Sequence, residues 1–334
     1  MNSLLFVVVF IVIFALIFDF INGFHDTANA IATSVSTKAL TPRRAIILAA
    51  VMNFLGALTF TGVAQTITSG IANPFDLQNG TTMILAALIS AITWNLITWL
   101  FGIPSSSSHA IIGAIAGAVI ASEGFSAVQY GGFISIIEGL IFSPVIAFVV
   151  GYILYSIIKV VFKNRNLAKT NKQFRRIQMV TAAVQSYAHG TNDAQKSMGI
   201  ITMALIVGGV HTTTEVPFWV QLSCATAMAL GTSIGGWRII KTVGSKIMKI
   251  RPVNGVAADL TGAATIFGAT LIHLPVSTTH VISTAIMGVG TSHRIKGVNW
   301  GIAQRMVVTW VITLPMTALL GALVLFILQL FPFF

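Results

Sequence analysis

Two stretches decide how this chain is read: Asn22-Gly23-Phe24-His25-Asp26-Thr27-Ala28-Asn29-Ala30 and Ala188-His189-Gly190-Thr191-Asn192-Asp193-Ala194-Gln195-Lys196. Each sets an aspartate beside glycine and asparagine in otherwise apolar surroundings. A carboxylate at membrane depth is unfavourable by roughly 2.5–3.5 kcal/mol on insertion scales unless it meets a cation, water or a hydrogen-bond donor. Glycine at Gly23 and Gly190 would let a helix break and release backbone groups to a ligand. His25-Asp26-Thr27-Ala28-Asn29 aligns with Asn192-Asp193-Ala194-Gln195-Lys196, so the chain contains two copies of one motif.

A second pair strengthens the first. Pro104-Ser105-Ser106-Ser107-Ser108-His109 matches Pro275-Val276-Ser277-Thr278-Thr279-His280. The separations are 167 residues (26 to 193) and 171 residues (104 to 275), so order and spacing persist across the halves. Basic residues supply the direction. They gather at Lys38, Arg43 and Arg44, from Lys159 to Arg176, from Arg238 to Arg251, and at Arg294, Lys296 and Arg305, whereas the connectors around Asp76, Glu123 and Glu215 carry none. The positive-inside rule then puts the basic loops in the cytoplasm and both termini outside. The two Asp segments cross in opposite senses, and the Ser-rich motifs fall at opposite mouths. Inverted repeats characterise secondary transporters, which expose a midplane site alternately by rocking one half against the other.

Composition agrees with membrane insertion. Of 334 residues, 55% are hydrophobic and 8% charged, and mean hydropathy is +0.89. Stretches 3–18, 45–67, 82–103, 131–162, 217–237 and 300–331 each approach or exceed the roughly 20 apolar residues that cross a bilayer. Residues 3–18 lack a basic n-region and a small-residue cleavage site, so they read as a retained span. The net charge of +11 lies in connectors and reports topology rather than a nucleic-acid partner. The expected organisation is a first repeat over 1–160, a basic cytoplasmic linker over 161–176 and a second repeat over 177–334. That linker also reads as a lipid-binding patch, although setting topology suffices to explain it. The single cysteine, Cys224, has no disulfide partner in the chain.

Chemistry concentrates at the repeats. Asp26 and Asp193 form the expected coupling-ion pair, with Asp19 as a further acidic candidate; Glu138 and Asp259 also lie in apolar segments but have no repeat partner. The plain alternative for each repeat carboxylate is a helix N-cap. Hydroxyls after a helix-interrupting proline stand at a helix N-terminus, a ready anion site. Ser106, Ser107, Ser108, Ser277, Thr278 and Thr279 are therefore the expected anion contacts, against the plainer role of capping. His25, His109, His189 and His280 flank these motifs as donors, proton relays or ligands of a cation travelling with the anion. Lys196 stands apart from the basic loops, at the repeat position of Asn29, where it would partner Asp26 or Asp193 or attract the anion. His211, His273 and His293 lie in or near connectors and carry no signal.

The chain resembles the inorganic phosphate transporter family, often called PiT, through Asn22 to Ala30, Ala188 to Asp193, Trp94-Asn95-Leu96 before Gly102-Ile103-Pro104 with its serines and His109, and Pro275 to His280. The resemblance implies phosphate as substrate and an all-α polytopic membrane fold of about ten to twelve segments with two inverted-topology repeats and broken or re-entrant helices. It also implies a homodimer in the lipid bilayer, and neither an enzyme nor a cofactor. Asn29 and Lys196 join the hydroxyls as expected phosphate contacts, and Asn22, Asn192 and His25 join the aspartates as coupling-ion residues. Sodium-coupled members carry an asparagine before the first Asp and another three residues after the Asp in both copies. Here His25 and Lys196 stand in two of those places. The chain is closer to the bacterial low-affinity branch, which takes up phosphate with protons, often as a neutral metal-phosphate complex. A fixed ammonium replaces a bound sodium, His25 and Asp26 make a titratable pair, and Mg2+ or another divalent cation would travel near them. The competing expectations are sodium coupling, a sulfate or other oxyanion substrate, a channel, and an intramembrane hydrolase using the Asp pair as acid and base.

Overall fold

The computed structural model describes residues 3–165 and 167–331. Among them the chain is all-helical, and extended backbone is confined to two isolated bridges, Ala72 with Val128 and Met248 with Val298. The first half runs α1 (Ser3–His25), α2 (Thr27–Ser36), α3 (Pro42–Ala57), α4 (Gly62–Gly70), α5 (Gly80–Leu100), α6 (Ser107–Glu123) and α7 (Tyr130–Val161). The second runs α8 (Leu167–Val207), α9 (Phe218–Ile234), α10 (Trp237–Lys241) with a π turn over Thr242–Lys246, α11 (Pro252–Leu271), α12 (Thr278–His293) and α13 (Trp300–Gln329). Element order recurs: α8 takes the place of α1 and α2 together, and a 3₁₀ turn precedes the last helix of each half, at Phe125–Ala127 and Ile295–Gly297.

Four stretches are long and apolar enough to cross a membrane among the described residues: Leu5–Ser36, Gly80–Leu100, Tyr130–Val161 and Trp300–Gln329. The pair α3 and α4, bent by 70° at its break, makes a fifth if it forms one broken span. The remaining segments of the ten to twelve expected are shorter or more polar; α6 and α12 have 17 and 16 residues. Residues 167–176, expected as linker, form the opening turns of α8.

The repeat glycines have a different use from the one expected. Between α1 and α2 the chain only tightens, with Asp26 N–H donating to the Asn22 carbonyl at 2.8 Å and Asn29 N–H to the Asp26 carbonyl at 2.9 Å. Around Gly190 and Asp193, α8 runs unbroken. Both glycines instead admit a neighbouring backbone: a Cβ on Gly23 would lie 2.3 Å from the Met228 carbonyl oxygen of α9, and one on Gly190 would lie 2.3 Å from that of Asn53 in α3. Close approach of this kind holds helices together where lipid offers no hydrophobic drive for association.

The halves interlock. The last helix of each leaves its own half, α7 packing on α12 and α13 on α6. The crossings are equally tight, because a Cβ on Gly117 of α6 would meet the Ala318 carbonyl oxygen at 2.0 Å and one on Gly288 of α12 would meet that of Phe148 at 2.1 Å. Gly117→Val and Gly288→Val are each expected to destabilise the protein by about 1–3 kcal/mol through overpacking, read as a lower Tm in detergent. Unchanged Tm values would show that these crossings carry no packing strain.

Buried apolar side chains form two clusters. One draws on α1, α5, α6 and the end of α8 from Ala194 to Leu205; the other draws on α2, α3, α11 and α12. Between them lies a layer of buried polar groups, from Asp19 to Asn29, Ser105 to His109, His189 to Ser197 and Ser277 to His280. Across this layer α1–α2 and α8 lie antiparallel, since Asn22 meets Asp193 while Thr37 meets Gln178.

Candidate substrate and coupling-ion site

The site is built where short helices begin inside the protein. Ser106 caps α6, its Oγ accepting from His109 N–H at 3.1 Å, and Ser277 caps α12 by accepting from His280 N–H at 3.3 Å. The capping role weighed against anion contact thus belongs to these two residues. It leaves Ser107, Ser108, Thr278 and Thr279 free for other partners.

Three of the four turn to the aspartates. Ser107 Oγ donates to Asp26 Oδ2 at 2.6 Å, and Thr279 Oγ1 reaches across from the other half to Asp26 Oδ1 at 3.0 Å. Thr278 Oγ1 donates to Asp193 Oδ2 at 3.0 Å. The fourth, Ser108, donates to the Val276 carbonyl at 2.9 Å, so the two Ser-rich tips touch. The His109 and His280 rings lie 4.6 Å apart, and His280 stacks on Trp310 at 4.0 Å. Opposite mouths are therefore not where these motifs sit. Charge asymmetry reports on which side a connector lies, not how deep a helix starts, and α6 and α12 begin where their buried tips meet inside the protein.

Each carboxylate has a distinct environment. Asp26 has His25 Nδ1 at 2.6 Å from Oδ1, and Asn29 Nδ2 supports the same corner by donating to Thr279 Oγ1 at 2.9 Å. Asp193 is paired with Lys196, one turn along α8, and both are fully buried. His189 Nε2 lies 3.2 Å from Asp193 Oδ2, and Asn22 Nδ2 donates to that oxygen from α1 at 3.4 Å. Of the partners weighed for Lys196, Asp193 is the one it meets. Asn192 does not face this centre: its amide donates to Thr270 Oγ1 at 3.1 Å and the Leu274 carbonyl at 3.2 Å, and it accepts from Val276 N–H at 3.2 Å, which fixes the approach to α12.

Asp19 lies one turn before Asn22, fully buried, and neither oxygen has a well-formed hydrogen bond. Ser197 is the hydroxyl that faces it. Ser197 escaped the sequence reading because one serine in an apolar helix carries no pattern. Asn53 escaped it too. Its amide donates to Thr27 Oγ1 at 2.8 Å and Thr232 Oγ1 at 3.2 Å, and its oxygen lies 3.2 Å from His189 Nδ1. An asparagine amid the apolar residues of α3 was the available signal.

The described residues offer no group of three or more His, Cys, Asp or Glu side chains able to hold a metal ion. Hydroxyls, amides and one ammonium surround two carboxylates at a place sealed between two apolar clusters. Buried carboxylates in a helical membrane protein mark solute or ion pathways, which points to the class of solute transporters.

Comparison with known proteins agrees. A profile described as "Phosphate transporter family" matches residues 22–321. A "Probable low-affinity inorganic phosphate transporter" of Bacillus subtilis (strain 168) is 74% identical over 298 residues, covering 89% of this chain and 90% of its own. One of the same description from Rhizobium meliloti (strain 1021) is 46% identical, with 88% of each chain covered. A solved structure described as "The sodium-dependent phosphate transporter" superposes with a TM-score of 0.88 at 26% identity, over 97% of this chain and 99% of that one. The chain belongs to the phosphate transporter family and is a multi-pass membrane transporter.

Proposed function

We propose that this protein imports inorganic phosphate by symport with protons, working by alternating access between two inverted-topology repeats, 1–160 and 177–334, joined by the linker 161–176. The observation that carries the reading is the sharing of hydroxyls between motifs: Ser107 and Thr279 on Asp26, Thr278 on Asp193. A phosphate entering here exchanges carboxylate acceptors for its own oxygens, while the carboxylates accept the proton of hydrogen phosphate. Sulfate carries no such proton, which favours phosphate over other oxyanions. Ser106, Ser108, Ser277, Asn29 and Lys196 complete the substrate site. Asp26, Asp193, Asp19, His25, Asn22 and Asn192 form or frame the coupling site.

Proton coupling is supported by His25 against Asp26 and by Lys196 occupying Asp193 as a fixed cation. A divalent cation travelling as a neutral complex with phosphate would sit near Asp26 and His25. The antiparallel lie of α1–α2 against α8 supports the inverted repeats, because these segments are equivalent by motif. The termini face outside, the basic loops face the cytoplasm, and the protein works as a homodimer. Sodium coupling is the second reading, favoured by the likeness to a solved transporter described as sodium-dependent; there sodium would take the place assigned to the proton.

The test is radiolabelled phosphate uptake into proteoliposomes under separately imposed proton and sodium gradients, with excess sulfate as competitor. Uphill uptake driven by an inward proton gradient, indifferent to sodium and sulfate, is expected. A sodium requirement would replace the coupling ion; abolition by sulfate would replace the substrate; equilibration without accumulation would mean a channel.

A further inference from the structure

A second polar assembly starts at Asp26, Asn29 and His189 of the site above and runs away from the Ser-rich tips through residues that the site does not use. Along α2 and its caps, Asp26, Asn29, Thr33 and Thr37 share one face at helical spacing; along α8, Gln178, Thr181, Gln185 and His189 do the same. Helix α11 closes the third side with Gly255, Asp259 and Gly262. Thr33 Oγ1 donates to Asp259 Oδ1 at 2.6 Å and Thr181 Oγ1 to Asp259 Oδ2 at 2.9 Å, so one carboxylate ties α2 to α8. Beyond it Thr37 Oγ1 donates to Gln178 Oε1 at 2.6 Å. Every one of these polar side chains is at least nine-tenths buried. The buried polar groups extend from the proposed substrate site to the C-cap of α2 at Thr37, opposite Gln178 in α8.

Three observations separate this seam from ordinary helix packing. The Gln185 amide is 1% exposed, yet neither its oxygen nor its nitrogen has a partner among the described residues, and Asn29 Oδ1 is in the same position. Unpaired buried amides are costly, and hydration on opening of the seam would relieve that cost. The α11 face is kept small: a Cβ at Gly255 would lie 1.9 Å from Gln178 Nε2 and one at Gly262 would lie 2.7 Å from Gln185 Oε1. Finally, the seam ends among exposed cations. Lys38 follows Thr37, Arg175 and Arg176 precede Gln178, and Arg251 caps α11. A polar route that ends in positive charge suits a multiply charged anion.

We propose that this seam is the closed cytoplasmic half of the phosphate pathway, with Asp259 as its latch. Parting α2 from α8 and α11 breaks the Thr33 and Thr181 bonds, hydrates Gln185, and opens a passage from Asp26 to the basic rim. The inference rests on the transport reading above, but its test reads solvent access rather than uptake.

The experiment introduces single cysteines, Thr33→Cys, Thr181→Cys and Gln185→Cys, into a Cys224→Ala background in proteoliposomes. Each is labelled from the basic side with a membrane-impermeant thiol reagent. Ala285→Cys, buried where α12 packs on α7 and away from the seam, is the reference. Labelling at the seam positions is expected to run at least about tenfold faster than at 285, as for a site that opens by local separation, and adding phosphate is expected to change the rate. Asp259→Ala is expected to raise labelling of Thr181→Cys further. Seam positions that label no faster than 285, in variants that elute as the folded protein and under every imposed gradient, would overturn the proposal. A parent protein that takes up no phosphate while its seam labels rapidly would instead overturn the transport reading.

Discussion

Replacing Lys196 with methionine is expected to unfold or severely destabilise the protein, and to do more damage than removing both charges together. Lys196 and Asp193 are fully buried and paired within α8. Taking away one member of a buried pair strands the other in low dielectric, typically by about 3–5 kcal/mol. Thr278, His189 and Asn22 stay on Asp193, but Thr278 and Asn22 bring no charge. The double variant Asp193→Asn with Lys196→Met removes both charges and is expected to recover most of the lost stability, while uptake stays absent because the carboxylate proposed for coupling is gone. Thermal unfolding in detergent reads the first part and proteoliposome uptake the second. Equal Tm values for single and double variants would mean that the two groups do not act as a pair. Lys196→Asn adds a sharper question, since it introduces the residue that the family resemblance implies for sodium-coupled members at this position. It is expected to confer sodium dependence; proton coupling left intact with no sodium effect would remove the lysine from the coupling scheme.

The other large effect is expected from Asp26→Asn. Asp26 accepts hydrogen bonds from Ser107 and Thr279 and contacts His25, so it joins both halves at the centre. Asparagine keeps the shape but loses the charge and turns one acceptor into a donor facing the Ser107 or Thr279 hydroxyl. Hydrogen bonds to a charged group contribute about 1.5–3 kcal/mol each, and a loss near 3 kcal/mol corresponds to roughly a hundredfold fall in uptake. Asp76→Asn, on an exposed connector where Asp76 bonds Asn73 at 2.5 Å, is expected to be silent. Wild-type accumulation by Asp26→Asn, with its gradient dependence retained, would remove Asp26 from the coupling path.

The parts of the site legible in the sequence were those that contrast with their surroundings. A carboxylate or a run of hydroxyls stands out in an apolar chain, and repetition at a near-constant offset singled out Asp26, Asp193 and both Ser-rich motifs. Depth was not legible, and the charge map placed at opposite mouths two motifs whose tips touch. Nor was the partner of α7 or α13 legible, because both helices are apolar on nearly every face and their exposed side chains, such as Ile141, Val145, Val311 and Leu319, are as hydrophobic as their buried ones. Periodicity has nothing to register in that case. The seam around Asp259 was hidden for a third reason. Its members come from α2, α8 and α11, far apart in sequence, and Asp259 has no counterpart in the other half.

The crossing of α7 and α13 bears on what moves. If each half of the gene were one rigid body, rocking would tear α7 from α12 and α13 from α6, where backbones meet with no room for a methyl group. The packing units are chimeric: α5 and α6 with α13, and α11 and α12 with α7, so the alternating access proposed between the repeats is expected to carry each last helix along with the other half. Sequence order groups the helices one way and packing groups them another, so a chain severed between residues 161 and 167 would still need both fragments to assemble either packed unit.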